Sequence, residues 1–221
     1  MRERVPELYV GLDEAGRGSC VGPLVVSLVA VDEAGLKALA ELGVRDSKKL
    51  TPNRRLELFP GILINSMYVA VKAIQPQVID SNNISRLTME AMCSLTALLA
   101  KRHPIRRVVA DYVNPPRRLQ RLLRGLLGPD VEVLVVEDAD DKYVECMAAS
   151  IVAKVVRDNE IAKLRVLYGV RGSGYPSDPE TLEWLVNMAS QGILPPCIRR
   201  SWRTVKRIPL DQGLYRWLGR S

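Results

Sequence analysis

Histidine is almost missing from the sequence. The one example, His103, precedes Pro104 at what reads as a helix exit, so a histidine-rich metal centre is excluded and a surface or structural position is expected. Cysteine is scarce too. Cys20, Cys93, Cys146 and Cys197 stand far apart, a spacing that gives no zinc ligand set and predicts free, mostly buried thiols of an intracellular chain. Aromatic residues make up 5 % of the chain, which leaves few platforms for base stacking. No apolar run approaches the ~18 residues of a membrane span, and Met1-Arg2-Glu3-Arg4 lacks the apolar stretch of a signal peptide. A soluble cytoplasmic protein with no membrane association is expected. No internal repeat or low-complexity tract interrupts the sequence.

What is present is ordinary globular composition: 221 residues, 47 % hydrophobic and 26 % charged, enough for one large domain or a domain with an appendage. The net charge is +7 and the isoelectric point about 9.4, which suits a polyanionic partner. The excess is uneven. From Arg199 to Ser221, the residues Arg199, Arg200, Arg203, Lys206, Arg207, Arg216 and Arg220 stand against Asp211, a net of +6, and the rest of the chain is nearly balanced. An ordinary solvated helix surface is the other reading of that stretch.

Leu8–Leu12 reads as a strand ended by Asp13-Glu14 and a glycine-rich turn. Pro23–Val31 is an apolar second strand, close enough to pair antiparallel with the first. Thr51-Pro52 is a helix start, because threonine caps and proline suits the first helical position. Met67–Ile74 suggests a third strand. Ser85 opens a long helix with Leu87, Ala91, Leu95, Leu98 and Leu99 on its apolar face, stopped by Pro104. Arg107–Asp111 is a short buried strand delivering an aspartate at its end. Arg117, Arg118, Arg121 and Arg124 punctuate a small helix, and strand Val131–Val136 runs into Glu137-Asp138-Ala139-Asp140-Asp141. A helix from Tyr143 to about Tyr168 carries Met147, Ile151, Val152 and Val155 as its core stripe. Gly172–Pro179 is a loop, followed by helical sequence. Three early strands and then alternating helix and strand predict an α/β domain with a mixed sheet.

Three strands thus end in acid: at Asp13-Glu14, at Asp111, and in the cluster after Val136. Singly, such acids are caps or loop solubilisers. Together, beyond strand ends where ligands of open α/β sheets bind, they repel one another unless cations compensate them. Oxygen-only ligands suit Mg²⁺ or Mn²⁺, and two such ions about 3.5–4 Å apart support phosphodiester hydrolysis. The turn Gly11-Leu12-Asp13-Glu14-Ala15-Gly16-Arg17-Gly18 has the wrong spacing for a dinucleotide fingerprint. Gly16 and Gly18 serve either a tight turn at positive φ or the close approach of a sugar-phosphate backbone.

That turn, with Gly22-Pro23 after it, resembles the opening motif of type 2 ribonucleases H in their archaeal form. Asp46-Ser47-Lys48-Lys49-Leu50, Ala110-Asp111, Ala148–Val155 and Gly172–Asp178 follow in order, with Arg200–Thr204 downstream. The resemblance covers almost the whole chain. It implies an RNase H-like fold, with a central mixed sheet flanked by helices and a helical C-terminal extension; the expected division is residues 1–168 and a basic substrate-binding segment, 169–221. It also implies a monomeric endonuclease that cuts the RNA strand of RNA–DNA hybrids and cuts at ribonucleotides embedded in duplex DNA. The family's metal-binding acids fall on Asp13, Glu14, Asp111 and Asp140, with Asp141 and then Asp138 as rivals for the last place. In family members the turn matching Gly16-Arg17-Gly18 contacts the ribose 2′-hydroxyl, and a tyrosine matching Tyr175 packs on the next deoxyribose. Lys48 and Lys154 resemble phosphate partners, although a structural ion pair also suits Lys154, and Asp46, Ser47 and Ser150 shape the site. Where many members have proline after the turn, this chain has Ser19-Cys20, which predicts a less rigid turn; Cys20 is expected to pack. The rival functions are a recombination nuclease without sugar discrimination and a non-catalytic hybrid-binding protein.

Overall fold

The computed structural model describes residues 6–44, 50–111 and 113–208. Asp46, Ser47 and Lys48 lie outside the described residues, as do Arg216 and Arg220 of the basic stretch. In chain order the elements are β1 (Leu8–Ala15), β2 (Leu24–Val31), α1 (Glu33–Glu41), α2 (Pro52–Ile64), β3 (Tyr68–Ile74), α3 (Pro76–Asp80), α4 (Ile84–Ala100), β4 (Ile105–Asp111), α5 (Pro116–Leu127), β5 (Glu132–Val136), α6 (Ala139–Lys142), α7 (Val144–Tyr168), α8 (Pro179–Ser190) and α9 (Arg203–Lys206). The strands form one sheet in the order β3-β2-β1-β4-β5. β1 pairs antiparallel with β2 and parallel with β4, and β4 pairs parallel with β5. This is the mixed sheet that the pattern of elements predicts.

The chain forms two compact units. One takes the described residues up to Ala15, then Val25–Ala73 and Ile84–Val156; the other takes Gly16–Leu24, Ile74–Asn83 and the described residues from Arg157 on. The last segment of the second unit therefore starts inside α7.

Every residue of β2 is buried, which explains why its sequence is apolar without alternation. Val29 and Val31 of β2 meet Leu39 of α1, Leu58 and Ile62 of α2, and Met147, Ile151 and Val152 of α7. β1 does not stop at Leu12. It runs to Ala15, because β2 keeps offering partners as far as Val25, opposite Ala15. α2 begins as expected, with the Thr51 hydroxyl accepting from the amide of Arg54. α1 was not foreseen; Asp32 caps it by accepting from the amide of Gly35 at 2.8 Å.

On α4, Leu87, Ala91, Leu95 and Leu99 are buried as predicted, but Leu98 is 55 % exposed. The hydroxyls of Thr88 and Thr96 donate to the carbonyls of Ile84 and Met92. Those polar residues therefore sit inside the buried arc, which is displaced away from Leu98.

Gly11 is where α7 meets the sheet. A Cβ there would lie 2.0 Å from the carbonyl oxygen of Glu145, so helix and strand touch through their backbones. Beside this contact the guanidinium of Arg107 donates twice to Oε1 of Glu145, at 2.7 and 3.0 Å, with the rings of Tyr9 and Tyr143 about it.

The second unit has its own core of Cys20, Val21, Val170, Trp184, Leu185 and Ile198. The carboxylate of Asp80 at the end of α3 accepts from the amides of Arg200 and Ser201 and from the Ser201 hydroxyl. Among the described residues no helix is long and apolar enough to cross a membrane.

Two glycine substitutions separate backbone contact from helix propensity. Gly11→Ala forces α7 off β1 and is expected to destabilise the protein by about 3 kcal/mol or more, the upper end of overpacking costs. Gly125→Ala, in the exposed interior of α5 with nothing within 4 Å, should stabilise it by about 0.5–1 kcal/mol. Denaturant unfolding of both variants measures the two effects.

Candidate active site

Asp13 and Glu14 stand near the end of β1, and Asp111 ends the adjacent parallel strand β4. Asp111 pairs in register with Val136, the last residue of β5. The chain then turns through Asp138 in the left-handed conformation (φ 54°, ψ 41°), which aspartate tolerates better than most residues. One oxygen of Asp111 accepts from the amide of Ala139 at 3.0 Å, which ties the end of β4 to the first residue of α6. α6 then buries Asp140.

Asp138, Asp140 and Asp141 each bring a carboxylate oxygen within 4.8 Å of the other two. Their surroundings differ. Asp138 and Asp141 are exposed, whereas Asp140 is 3 % exposed. Oδ2 of Asp140 accepts from the Ser150 hydroxyl at 3.4 Å and lies 3.9 Å from Nζ of Lys154. Ser150 and Lys154 are four residues apart on α7 and share a helix face, and the Lys154 ammonium makes the ion pair of the second reading, with Asp140.

Electrostatics ties the acids together. Asp13 is 5 % exposed. Its pKa is raised well above the ordinary 3.8, first by burial and next by the charge of Glu14, with Asp111 adding to the rise; hydrogen bonds from Ser150 and the Glu14 amide oppose it. Beneath them Cys146 is buried, its thiol donating to the carbonyl of Leu12. Burial raises the thiol, and so do the charges of Asp13, Asp111 and Asp140, so it is an inert part of the floor. Carboxylates grouped about Asp13, joined by hydroxyl oxygen and without an available thiolate, fit a hard divalent cation such as Mg²⁺ or Mn²⁺.

The second unit holds Gly16, Arg17, Gly18 and Tyr175. Gly16 adopts φ +83°, so the tight-turn reading applies to it. Gly18 has no positive φ, is exposed and has open space where a Cβ would lie, so it supplies clearance. Ser19, the residue in place of the family's proline, is buried, and both its amide and its hydroxyl donate to the Gly16 carbonyl. Hydrogen bonds thus close the turn where a ring is lacking. Cys20 packs as expected; burial pushes its thiol up to about 11. Tyr175 is half-buried, its ring 4.6 Å from the guanidinium of Arg157.

Two arginines escaped the sequence reading. Arg199, counted with the basic stretch, is fully buried and is therefore corrected from a surface charge to an interior one; its Nε donates to Gly22 and its Nη1 to Arg17. Arg157 is also buried. A signal existed for Arg157: it continues a four-residue series, Ala149, Ala153, Arg157, Ile161, all buried, so it occupies a core position on its helix.

The raised pKa of Asp13 has a stability consequence. Because its folded pKa exceeds the unfolded value, the native state binds more protons in the window between them, and stability falls as pH climbs from about 4 through the raised pKa. In chelator, Asp13→Asn should melt above the wild type at neutral pH, and the gap should close toward about pH 4. Mg²⁺ or Mn²⁺ should raise the melting temperature of the wild type more than that of the variant. Thermal unfolding across pH, with and without metal, reads both outcomes.

The model of the ribonuclease HII family matches residues 10–205. Ribonuclease HII of Sulfurisphaera tokodaii is 41 % identical over 211 residues, covering 95 % of this chain and 100 % of that protein. The crystal structure of the ribonuclease H2 from Pyrococcus horikoshii OT3 is similar with a TM-score of 0.81 and 36 % identity, over 96 % of this chain and 99 % of that one. A structure of the PCNA:RNase HII complex from Archaeoglobus fulgidus matches with a TM-score of 0.80 and 36 % identity, over 89 % and 95 % of the two chains. The mixed sheet with flanking helices and the C-terminal helices are those of the RNase H-like fold. By sequence and by fold, the chain belongs to the ribonuclease HII family.

Proposed function

We propose that this protein is a metal-dependent endoribonuclease that hydrolyses the RNA strand of RNA–DNA hybrids and cuts at ribonucleotides embedded in duplex DNA, working as a monomer in the cytoplasm. The observation that carries the reading is the carboxylate group of buried Asp13 and Asp140 with half-buried Glu14 and Asp111 in a chain of this family. These four residues would hold two divalent ions, Mg²⁺ or Mn²⁺. Once bound, such ions polarise a phosphoryl oxygen and lower the pKa of water, which suits a hydrolysis that leaves a 5′-phosphate and a 3′-hydroxyl.

The chain's own residues arrange the site. Ser150 and Lys154 orient the Asp140 carboxylate and offset part of its charge. Asp111 is fixed by the Ala139 amide, and the Asp13 carboxylate by the Glu14 amide. The Gly16-Arg17-Gly18 turn reads the ribose 2′-hydroxyl, the group that distinguishes RNA from DNA locally, and the clearance over Gly18 admits the sugar. The flat ring of Tyr175 packs on the deoxyribose that follows. By the resemblance to the family, Lys48 would be a phosphate partner, and Asp46 and Ser47 would shape the site. The exposed arginines Arg117, Arg118, Arg121 and Arg124 of α5, with Arg203, Lys206 and Arg207, hold the duplex through phosphates in the substrate-binding segment and beyond it. Binding should therefore weaken steeply with salt.

A duplex containing one ribonucleotide, incubated with Mg²⁺, with Mn²⁺ or with chelator beside an all-DNA duplex, tests the reading. Metal-dependent cutting at the ribonucleotide is expected. Equal cutting of all-DNA duplex would assign a nuclease without sugar discrimination, and binding with no cutting under any metal would assign a hybrid-binding protein. Asp13→Asn is expected to abolish cutting and to leave hybrid binding, measured by fluorescence anisotropy, largely intact.

A further inference from the structure

Arg157 occupies a position on α7 where packing alone would place an apolar residue. It is 4 % exposed, and Ala153 and Ile161, four residues to either side, are buried. A guanidinium there is costly unless its hydrogen bonds are made. Nη2 donates to the carbonyl of Ser173, Nη1 lies 3.5 Å from the Asp158 carboxylate, and Nε is buried with no hydrogen-bond partner among the described residues. An unmet donor of that kind costs about 1–3 kcal/mol. A leucine would fill the same stripe without that penalty.

The guanidinium instead touches both sugar-facing elements of this unit. Its Cζ lies 4.6 Å from the Tyr175 ring centroid. A Cβ added to Gly16 would lie 3.4 Å from Cγ and 3.6 Å from Nε of Arg157, and one added to Gly174 would lie 2.9 Å from Nη2. The carbonyl of Gly174 in turn accepts from the amides of Cys20 and Val21, which joins the Tyr175 loop to the chain just after the Gly16 turn. Arg199 secures the other side, through the carbonyls of Arg17 and Gly22 and the Trp202 ring at 5.0 Å. Burial, and then the charge of Arg157, lower Arg199 to about 10, so Arg199 is cationic at neutral pH. Two buried like charges oppose each other, and each is retained where it holds backbone carbonyls and one aromatic face. Arginine alone among the cations offers a flat face and a rigid fork of donors together.

We propose that Arg157 is a specificity-determining positioning residue, which fixes the Tyr175 ring relative to the Gly16-Arg17-Gly18 turn so that the two read adjacent sugars as one rigid unit. The inference rests on the proposed reading of that turn and of Tyr175 as the sugar sensors. It predicts that loss of the guanidinium affects cutting at an isolated ribonucleotide, where a ribose-to-deoxyribose step must be recognised, more than cutting of a uniform RNA–DNA hybrid, where the following sugar is also ribose.

The test is kcat/KM of the full chain on both substrates for wild type, Arg157→Lys, Tyr175→Leu and the double variant. Arg157→Lys is expected to lose ~10-fold or more in cutting at the single ribonucleotide relative to the uniform hybrid, because small misplacements of a positioned group have effects of that order or larger. Since the arginine acts through the ring, the double variant should discriminate no worse than Tyr175→Leu alone. Arg157→Gln, which keeps a planar donor but lacks the charge, gives the same ratio should the lysine variant fail to fold. Equal losses on both substrates, or losses that add in the double variant, would overturn the inference alone. Wild-type protein that leaves the single-ribonucleotide duplex uncut would overturn the functional reading and this inference with it.

Discussion

The backbone contact between α7 and β1 at Gly11 is the constraint on which the acidic site depends. No side chain separates the strand from the Glu145 carbonyl, so the helix can neither roll nor slide without a clash or a void. Neighbouring interactions keep the seat closed. Glu145 is held by Arg107 between two tyrosine rings, and the Ser27 hydroxyl of β2 donates to the Ala149 carbonyl at 2.6 Å. The ion pair is nearly dry on the Glu145 side, and removing one partner of such a pair leaves a buried charge uncompensated. With the phase of α7 fixed in this way, Ser150 and Lys154 face Asp140, and the site inherits its geometry from the core.

This rigidity lets the fold hold an arrangement that its own electrostatics disfavours. Asp13 is buried beside Glu14 and Asp111, and the left-handed turn at Asp138 adds strain of about 1–3 kcal/mol. Neither feature helps the chain to fold. Both are sustained by the closely packed strand β2 and the helices against it. Strain and raised pKa concentrated in one place, inside a well-packed unit, are a physical signature of a functional site.

The second unit achieves a rigid turn by different means. Ser19 closes it from within, Arg199 holds two of its carbonyls from below, and the loop carrying Tyr175 is pinned by Asp178, which accepts from Ser173 while capping α8 through the Glu180 amide. Each of these is a hydrogen bond between a side chain and a backbone group. Such bonds fix chain direction more sharply than apolar contact.

The sequence by itself determined the strands, the long helices and the acids that follow the strands. Asp13-Glu14 and Asp111 were legible because each follows a short apolar strand, and the Met147–Val155 stripe because helical period survives in any context. The core of α4 was legible for the same reason, except at Leu98, where buried threonines shifted the arc. Only the tertiary structure decided which acid of the cluster after Val136 is interior. Asp138, Asp140 and Asp141 are chemically equivalent in sequence, and it is the turn at Asp138 and the position of α7 that bury Asp140 beside Ser150 and Lys154. Only the tertiary structure, likewise, brought Arg157 and Arg199 inside. Composition reads an arginine as surface charge, because the carbonyls and rings that compensate its burial come from residues distant in the chain.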